Sequence, residues 1–256
     1  MDYTKGMNAL PLLIAEDLIP TRNYIQDVVK VLGSLQLAYV APNEHEWQYG
    51  LEVTMRGIST QEMMVGGQHI RATVDLVKHK VRIGDTNWSL EEYAAPEILN
   101  HNKVWLTARS QRVELEQPEF SADTKYFDAK QAAHYAEALW WLEKRFKGIK
   151  TDLDTGLTSP ILLYPHHFDI ALSWFPQNDT KQLSLGFSSG DESIKEPYLY
   201  LTAYPEPDGF TNRELPAEAY WQTAGFRGAI LPYARLQASQ APDAVFDDYA
   251  SLILEG

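Results

Sequence analysis

Residues 196–210 read EPYLYLTAYPEPDGF, and this stretch gives the clearest indication of the fold. In its first half, Tyr198, Tyr200 and Tyr204 alternate with aliphatic residues, so the tyrosines share one face of a strand. The second half is rich in proline and glycine, which fix φ or allow a positive φ, and it therefore predicts a rigid turn. A half-buried strand that ends in such a turn is typical of an antiparallel sheet.

This strand belongs to an order of elements that occurs twice along the chain. The first half predicts, in order, a helix over 21–33, strands over 47–55 and 69–77, and a helix over 90–100. The second half predicts a helix over 128–148, strands over 161–164, 167–175, 183–187, 198–204 and 229–233, and a helix over 243–254. We therefore expect an α+β protein with an internal duplication: two similar modules, each an antiparallel β-sheet flanked by helices.

The boundaries of these modules follow from turn-forming residues. Polar residues gather over 110–127, which predicts modules at 1–115 and 116–256, packed as one compact unit. The first helix is expected to stop at Gly33 and the central helix, which starts the second module, at Gly148. The central helix contains Trp140 and Trp141 and is apolar on more than one side, so we expect it to lie between the modules.

Composition narrows the function classes. The net charge of −13 disfavours nucleic acids and anionic membranes as partners, because both are bound through clustered Lys and Arg. The absence of cysteine excludes disulfides, thiolate metal sites and cysteine nucleophiles. The apolar segment from Ala9 to Ile19 contains Pro11, Glu16 and Asp17, so it predicts neither a signal peptide nor a membrane span. A cytoplasmic location is expected.

One polar cluster could carry chemistry. In a strand over 167–175, His167 and Asp169 would share a face, which suits an oriented general base or two ligands of a metal. A polar strand face with a hydrogen-bonded histidine explains the same pattern. His45 and Trp47 stand at the corresponding place in the first half. The sequence contains no nucleophile elbow, zinc-protease motif or dinucleotide-binding motif, so no catalytic residue, cofactor or metal site is assigned.

Several short segments together resemble one family. They are Pro42, His45, Trp47, LEVTMRG at 51–57, Ser159-Pro160, Phe168-Asp169, Glu196-Pro197, AYPEPDGF at 203–210 and Leu231-Pro-Tyr233. In this order they resemble the bacterial family of domain of unknown function 5996, from about Leu13 to the C-terminus. The resemblance implies a bacterial protein and no particular activity. A Gly-Ser pair usually precedes the Phe-Asp of the family, whereas His166-His167 stands here, so a role of these histidines would be specific to this branch.

The sequence leaves three functions open. The leading one is binding of a small, partly aromatic ligand in a cleft between the modules. Its walls would be Trp47, Tyr200 and Tyr204, and its polar anchors His45, His167 or Asp169. The second is a hydrolase that uses His167 and Asp169 with a metal or an activated water. The third is a structural or partner-binding protein, including a homo-oligomer, that uses Trp141.

Overall fold

The computed structural model describes residues 10–109, 120, 126–153, 156–176, 181–216 and 218–254. The helices in these ranges are α1 (Ala15–Tyr39), α2 (Ala95–Arg109), α3 (Ala129–Asp152), α4 (Tyr233–Ala238) and α5 (Pro242–Leu254). The strands up to residue 89 are β1 (Glu52–Thr54), β2 (Gly57–Ser59), β3 (Met63–Val65), β4 (Gln68–Ile70), β5 (Ala72–Asp75), β6 (Lys80–Ile83) and β7 (Thr86–Ser89). Those after residue 150 are β8 (Leu157–Thr158), β9 (Leu162–Tyr164), β10 (Asp169–Phe175), β11 (Gln182–Ser188), β12 (Tyr198–Tyr204), β13 (Tyr220–Gln222) and β14 (Gly228–Pro232).

The predicted α+β class with antiparallel sheets is confirmed. The chain forms two compact units, each with one large sheet and helices. The N-terminal unit consists of Glu16–Trp140 and Leu162–Phe168, and the C-terminal unit of Met1–Ala15, Trp141–Ile161 and Asp169–Gly256. The predicted module boundary between residues 115 and 116 lies outside the described residues and stays a prediction.

In the N-terminal unit, five antiparallel strands pair in the order β1-β2-β5-β6-β7. Their alternation buries one face, with Ile58, Val74, Val81 and Trp88 at 8 % exposure or less. The opposite face carries Thr73, Asp75, Lys80 and Arg82, because neighbouring strand residues point to opposite sides. The hairpin β3-β4 is a separate two-stranded sheet, and Leu163 of β9 pairs with Leu51.

The ends of three helices differ from the prediction, and α2 (Ala95–Arg109) starts and ends later than the predicted range 90–100. Helix α1 is longer at both ends than 21–33, and Gly33 lies in its interior. A Cβ at Gly33 would stand 3.0 Å from Cγ of Pro165, so this glycine allows a close approach rather than ending the helix. Helix α3 likewise continues beyond Gly148 to Asp152. The predicted stops at both glycines were therefore wrong.

The strand predicted over 47–55 is also mostly wrong. Trp47–Tyr49 is a 3₁₀-helix, and only Glu52–Thr54 is a strand. The cause is a tertiary interaction, since the buried amide of Gln36 donates to the carbonyl oxygens of Gln48 and Gly50 at 2.7 and 2.8 Å. Gln36 also accepts a hydrogen bond from the backbone N–H of Gln61 at 2.6 Å. Hydrogen bonds from Gln36 of helix α1 thus determine the backbone conformation of this segment, and the alternating pattern does not.

In the C-terminal unit, six antiparallel strands pair in the order β13-β14-β12-β11-β10-β8. Helices α4 and α5 cover one face, where the ring of Phe187 contacts Tyr233 and the hydroxyl of Tyr249 donates to the carbonyl oxygen of Ala229 at 2.8 Å. Strand β12 occupies the predicted residues 198–204. Its tyrosines face away from these helices, on the side of the sheet that carries the candidate site.

None of the helices in the described ranges combines the length and the apolarity that crossing a membrane requires.

Candidate functional site

The tyrosine face of β12 lies over a row of small residues. Register pairs Tyr200 with Gly186 of β11, and Gly186 in turn with Ala171 of β10. A Cβ at Gly186 would overlap Cζ and the hydroxyl oxygen of Tyr200 and lie 2.7 Å from Cε1. The Tyr200 ring therefore lies flat across β11 in the space that glycine leaves, and its hydroxyl reaches the third strand.

On that third strand the Tyr200 hydroxyl donates a hydrogen bond to Oδ2 of Asp169. Asp169 is the first residue of β10 and is half-buried, as is Tyr200. A phenol that donates to a carboxylate forms a charge-assisted bond, which is stronger than a neutral one. The bond fixes both the ring of Tyr200 and the carboxylate of Asp169.

A second pair of the same kind stands beside the first. The hydroxyl of Tyr198 donates to Oδ2 of Asp191, whose Oδ1 accepts from the backbone N–H groups of Ser193 and Ile194 at 2.6 and 2.9 Å. Asp191 is thus held by the turn between β11 and β12. Burial, followed by the hydrogen bond to Asp191, raises the pKa of Tyr198 well above its usual value. Tyr198 therefore stays a neutral donor at physiological pH.

An aromatic ring completes the group. Phe226 lies parallel to Tyr198, with ring centroids 6.2 Å apart and planes at 17°, and it meets Tyr200 edge to face at 6.4 Å and 73°. We name the five residues Asp169, Asp191, Tyr198, Tyr200 and Phe226 the tyrosine–aspartate site. It combines three aromatic rings with two carboxylates and contains no cationic side chain.

The same face continues into a neutral polar network. The amide of Gln182 donates to the hydroxyl oxygens of Ser173 and Ser184 at 3.1 and 2.9 Å, and these two hydroxyls are 3.1 Å apart. All three side chains are half-buried. The surface beside the tyrosines therefore offers hydrogen bonds rather than an apolar patch.

Of the residues proposed from the sequence, Asp169 and Tyr200 come together. Tyr204 lies at the end of the same strand but is 75 % exposed, and no described side chain encloses it. His45 and Trp47 lie in the N-terminal unit and stack with ring centroids 4.7 Å apart. The side chain of Asn43 holds their loop by accepting from the backbone N–H groups of both residues, at 3.0 and 3.1 Å.

Contrary to the sequence prediction, His167 does not lie on strand β10. Strand β10 begins at Asp169, and His167 lies in the preceding turn with its side chain exposed. Phe168 adopts a positive φ of 55°, and its N–H donates to the carbonyl oxygen of Tyr164 at 2.7 Å. The alternation that would place His167 and Asp169 on one strand face does not extend to His167. Across the described ranges, no three His, Asp or Glu side chains converge to hold a metal ion.

Comparison with known proteins places the chain in a family. The model of a family of unknown function, DUF5996, matches residues 10–183 and 177–253. The chain belongs to this family. Neither a curated protein nor a solved structure matches it.

For this DUF5996 member, sequence reasoning missed part of the tyrosine–aspartate site. The alternation of β12 places Tyr198 beside Tyr200, but it does not indicate that the Tyr198 hydroxyl bonds a carboxylate. Asp191 and Phe226 lie in turns, where no periodic pattern indicates which way a side chain points. Pro197 and Pro205 flank β12, but they carry no information about which strands lie beside it.

Proposed function

We propose that the tyrosine–aspartate site binds a small organic ligand that presents an ammonium group next to an apolar or aromatic surface. The observation that carries the proposal is the pair of fixed carboxylates, Asp169 and Asp191, each bonded to a tyrosine of one aromatic cluster. Carboxylates accept hydrogen bonds from ammonium groups, and aromatic faces attract cations. Both properties select the same kind of ligand.

The position of the site supports binding over a purely structural role. Tyr200 and Phe226 are only half-buried, so part of each ring faces solvent, whereas Tyr198 is 3 % exposed. A mostly apolar surface with few, well-oriented polar groups is typical of small-molecule sites. The Tyr200 hydroxyl is already fixed by Asp169, so little side-chain entropy would be lost on binding.

The alternatives receive less support from the contacts. A hydrolase needs a base aimed at a reacting atom, and His167 lies in an exposed turn. A partner surface built on Trp141 needs an accessible ring. Instead, the indole N–H of Trp141 donates to Asp243 at 3.2 Å, and its ring meets Phe246 edge to face at 5.5 Å. Helix α5 therefore already covers part of this tryptophan.

The test uses three probes of one shape and different charge: phenethylamine, 2-phenylethanol and phenylacetate. We expect phenethylamine to bind most tightly in isothermal titration calorimetry. The Asp169→Asn variant should weaken phenethylamine binding by about tenfold, the effect of losing one charge-assisted contact. Asp208→Asn, an exposed acid in the turn after β12, is the control with the same charge change and should leave binding unchanged.

Two results would contradict the proposal. One is phenylacetate binding as tightly as phenethylamine, since the carboxylates should repel it. The other is unchanged phenethylamine affinity in Asp169→Asn when circular dichroism shows that the variant is folded. Amide chemical shifts of β10, β11 and β12 in the unmodified protein give an independent measure of where the probe binds.

A further inference from the structure

A groove of about 500 Å³ opens on the solvent-facing side of the five-stranded sheet in the N-terminal unit. Its lining comes mainly from the β1–β2 turn and from β5, β6 and β7. Register explains why its polar side chains meet there: Thr73 pairs with Arg82, Arg82 with Asn87, and Asp75 with Lys80. Each of these residues alternates with a buried one, so all of them point to the same face.

Four cations and one carboxylate line this groove. The cations are Arg56, Lys78, Lys80 and Arg82, and the carboxylate is Asp75. Asp75 is already engaged, because its Oδ2 lies 3.0 Å from Nη2 of Arg56 and its Oδ1 accepts the backbone N–H of Lys78 at 2.8 Å. Asp75 thus orients Arg56 toward the groove and neutralises one of the four positive charges.

In the described part of the chain, the groove contains one ion pair, between Arg56 and Asp75. Lys78, Lys80 and Arg82 have no carboxylate partner there. Lys80 and Arg82 are two residues apart on one strand, about 6–7 Å along it. Like charges at this distance repel each other, and a bound anion would relieve this repulsion. The chain has 35 acidic and 22 basic residues, so a shortage of carboxylates does not explain why these cations lack ion-pair partners.

We propose that this groove binds a small organic diphosphate. Three uncompensated positive charges match the charge of a diphosphate group, and the arginine guanidinium offers two parallel N–H donors that fit phosphate oxygens. Thr54, Thr73 and Asn87 add neutral hydrogen-bonding groups along the lining. The volume lies in the range of small-molecule sites. The groove belongs to the N-terminal unit and the tyrosine–aspartate site to the C-terminal unit, and the groove selects the opposite charge.

Inorganic pyrophosphate is the probe, titrated into the full chain at constant ionic strength. We expect measurable binding by calorimetry, with weaker binding of inorganic phosphate and of citrate. The Lys80→Gln/Arg82→Gln variant should lose about tenfold or more in affinity, or about 1.4 kcal/mol. Lys130→Gln/Arg235→Gln removes the same two residue types at exposed positions outside the groove and should retain the affinity of the unmodified protein.

Each other outcome overturns the proposal. Absence of pyrophosphate binding excludes the site, and an equal loss in both double variants shows that only net charge matters. Citrate binding as tightly as pyrophosphate excludes a preference for phosphate. A measurement on the unmodified protein does not depend on the variants folding: pyrophosphate should shift the amide resonances of Thr73, Lys80, Arg82 and Asn87, and shifts elsewhere would place the anion at a different site.

Discussion

Replacing Gly186 by alanine tests the geometry on which the tyrosine–aspartate site depends. The new Cβ would overlap the end of the Tyr200 ring, and the strand ladder holds the backbone of β11 in place. We therefore expect the half-buried Tyr200 ring to swing outward and to release Asp169. The substitution thus removes one side-chain hydrogen bond and the ring contacts of Tyr200 with Phe226 and Tyr198, without changing charge.

The expected cost combines three contributions. The bond from Tyr200 to the Asp169 carboxylate is worth about 1.5–3 kcal/mol, and the edge-to-face contact with Phe226 about 0.5–1.5 kcal/mol. Alanine recovers about 0.5–1 kcal/mol relative to glycine in a strand. Since the site is half-buried, we take the lower part of these ranges and expect a loss of about 2 kcal/mol, or a melting temperature lower by about 4–8 °C.

The assay is denaturant unfolding of a double-mutant cycle with Tyr200→Ala. Without the Tyr200 ring, Gly186→Ala should be neutral or stabilise the protein by up to about 1 kcal/mol. Gly148→Ala is the control, because a Cβ there meets nothing within 4 Å, and in helix α3 it should stabilise by about 1 kcal/mol. If Gly186→Ala costs the same free energy of unfolding with and without the Tyr200 ring, then its effect does not arise from overlap with that ring.

Three further predictions concern other contacts. Gln36→Leu leaves two buried carbonyl groups and one N–H group without their hydrogen-bond partner. The free energy of unfolding in urea should therefore fall by about 3 kcal/mol or more. Tyr24→Phe removes a buried hydroxyl that accepts a hydrogen bond from the N–H of Ala94, and it should lower the free energy of unfolding by about 1–3 kcal/mol. The control is Tyr204→Phe, since Tyr204 is 75 % exposed, and it should change the free energy of unfolding by less than about 0.5 kcal/mol. The hydrogen bond from Arg227 lowers the pKa of Glu206 in the folded protein. The pair therefore stabilises the fold at pH values above the pKa of the carboxyl in the unfolded chain. This stabilisation is lost as the pH falls through the pKa of the folded state. In Arg227→Gln the Glu206 carboxyl should titrate at higher pH by NMR, and an unchanged titration would exclude the pair.

Local pattern predicted the fold class and the long strands well. Strand β12 matches its prediction because Pro197 and Pro205, which have no N–H to donate, stand at its two ends, and because Leu199 and Leu201 on its aliphatic face are buried. The first strand prediction failed where a distant side chain intervened, since Gln36 bonds the carbonyls that a strand would use in its ladder. The alternation of apolar and polar residues indicates which side chains are buried, but it does not indicate the hydrogen-bond partner of each backbone group.

The candidate site was predictable only as a set of residue types. Asp169 and Tyr200 were both chosen from the sequence, but their bond depends on the register of three strands and on the missing side chain of Gly186. Register is a long-range property that a single strand does not contain. Asp191 was missed because its orientation is fixed by backbone N–H groups of the turn that it closes.

The cationic groove also refines what the net charge of −13 excludes. At physiological ionic strength charges more than about 8 Å apart are largely screened from each other. A diphosphate within the groove would therefore respond mainly to Arg56, Lys78, Lys80 and Arg82 rather than to remote carboxylates. A nucleic acid strand would extend beyond these cations over a surface that is acidic on average, where its further phosphates would be repelled. The net charge thus disfavours a long polyanion as a ligand, and it does not disfavour a small anion that binds within the groove.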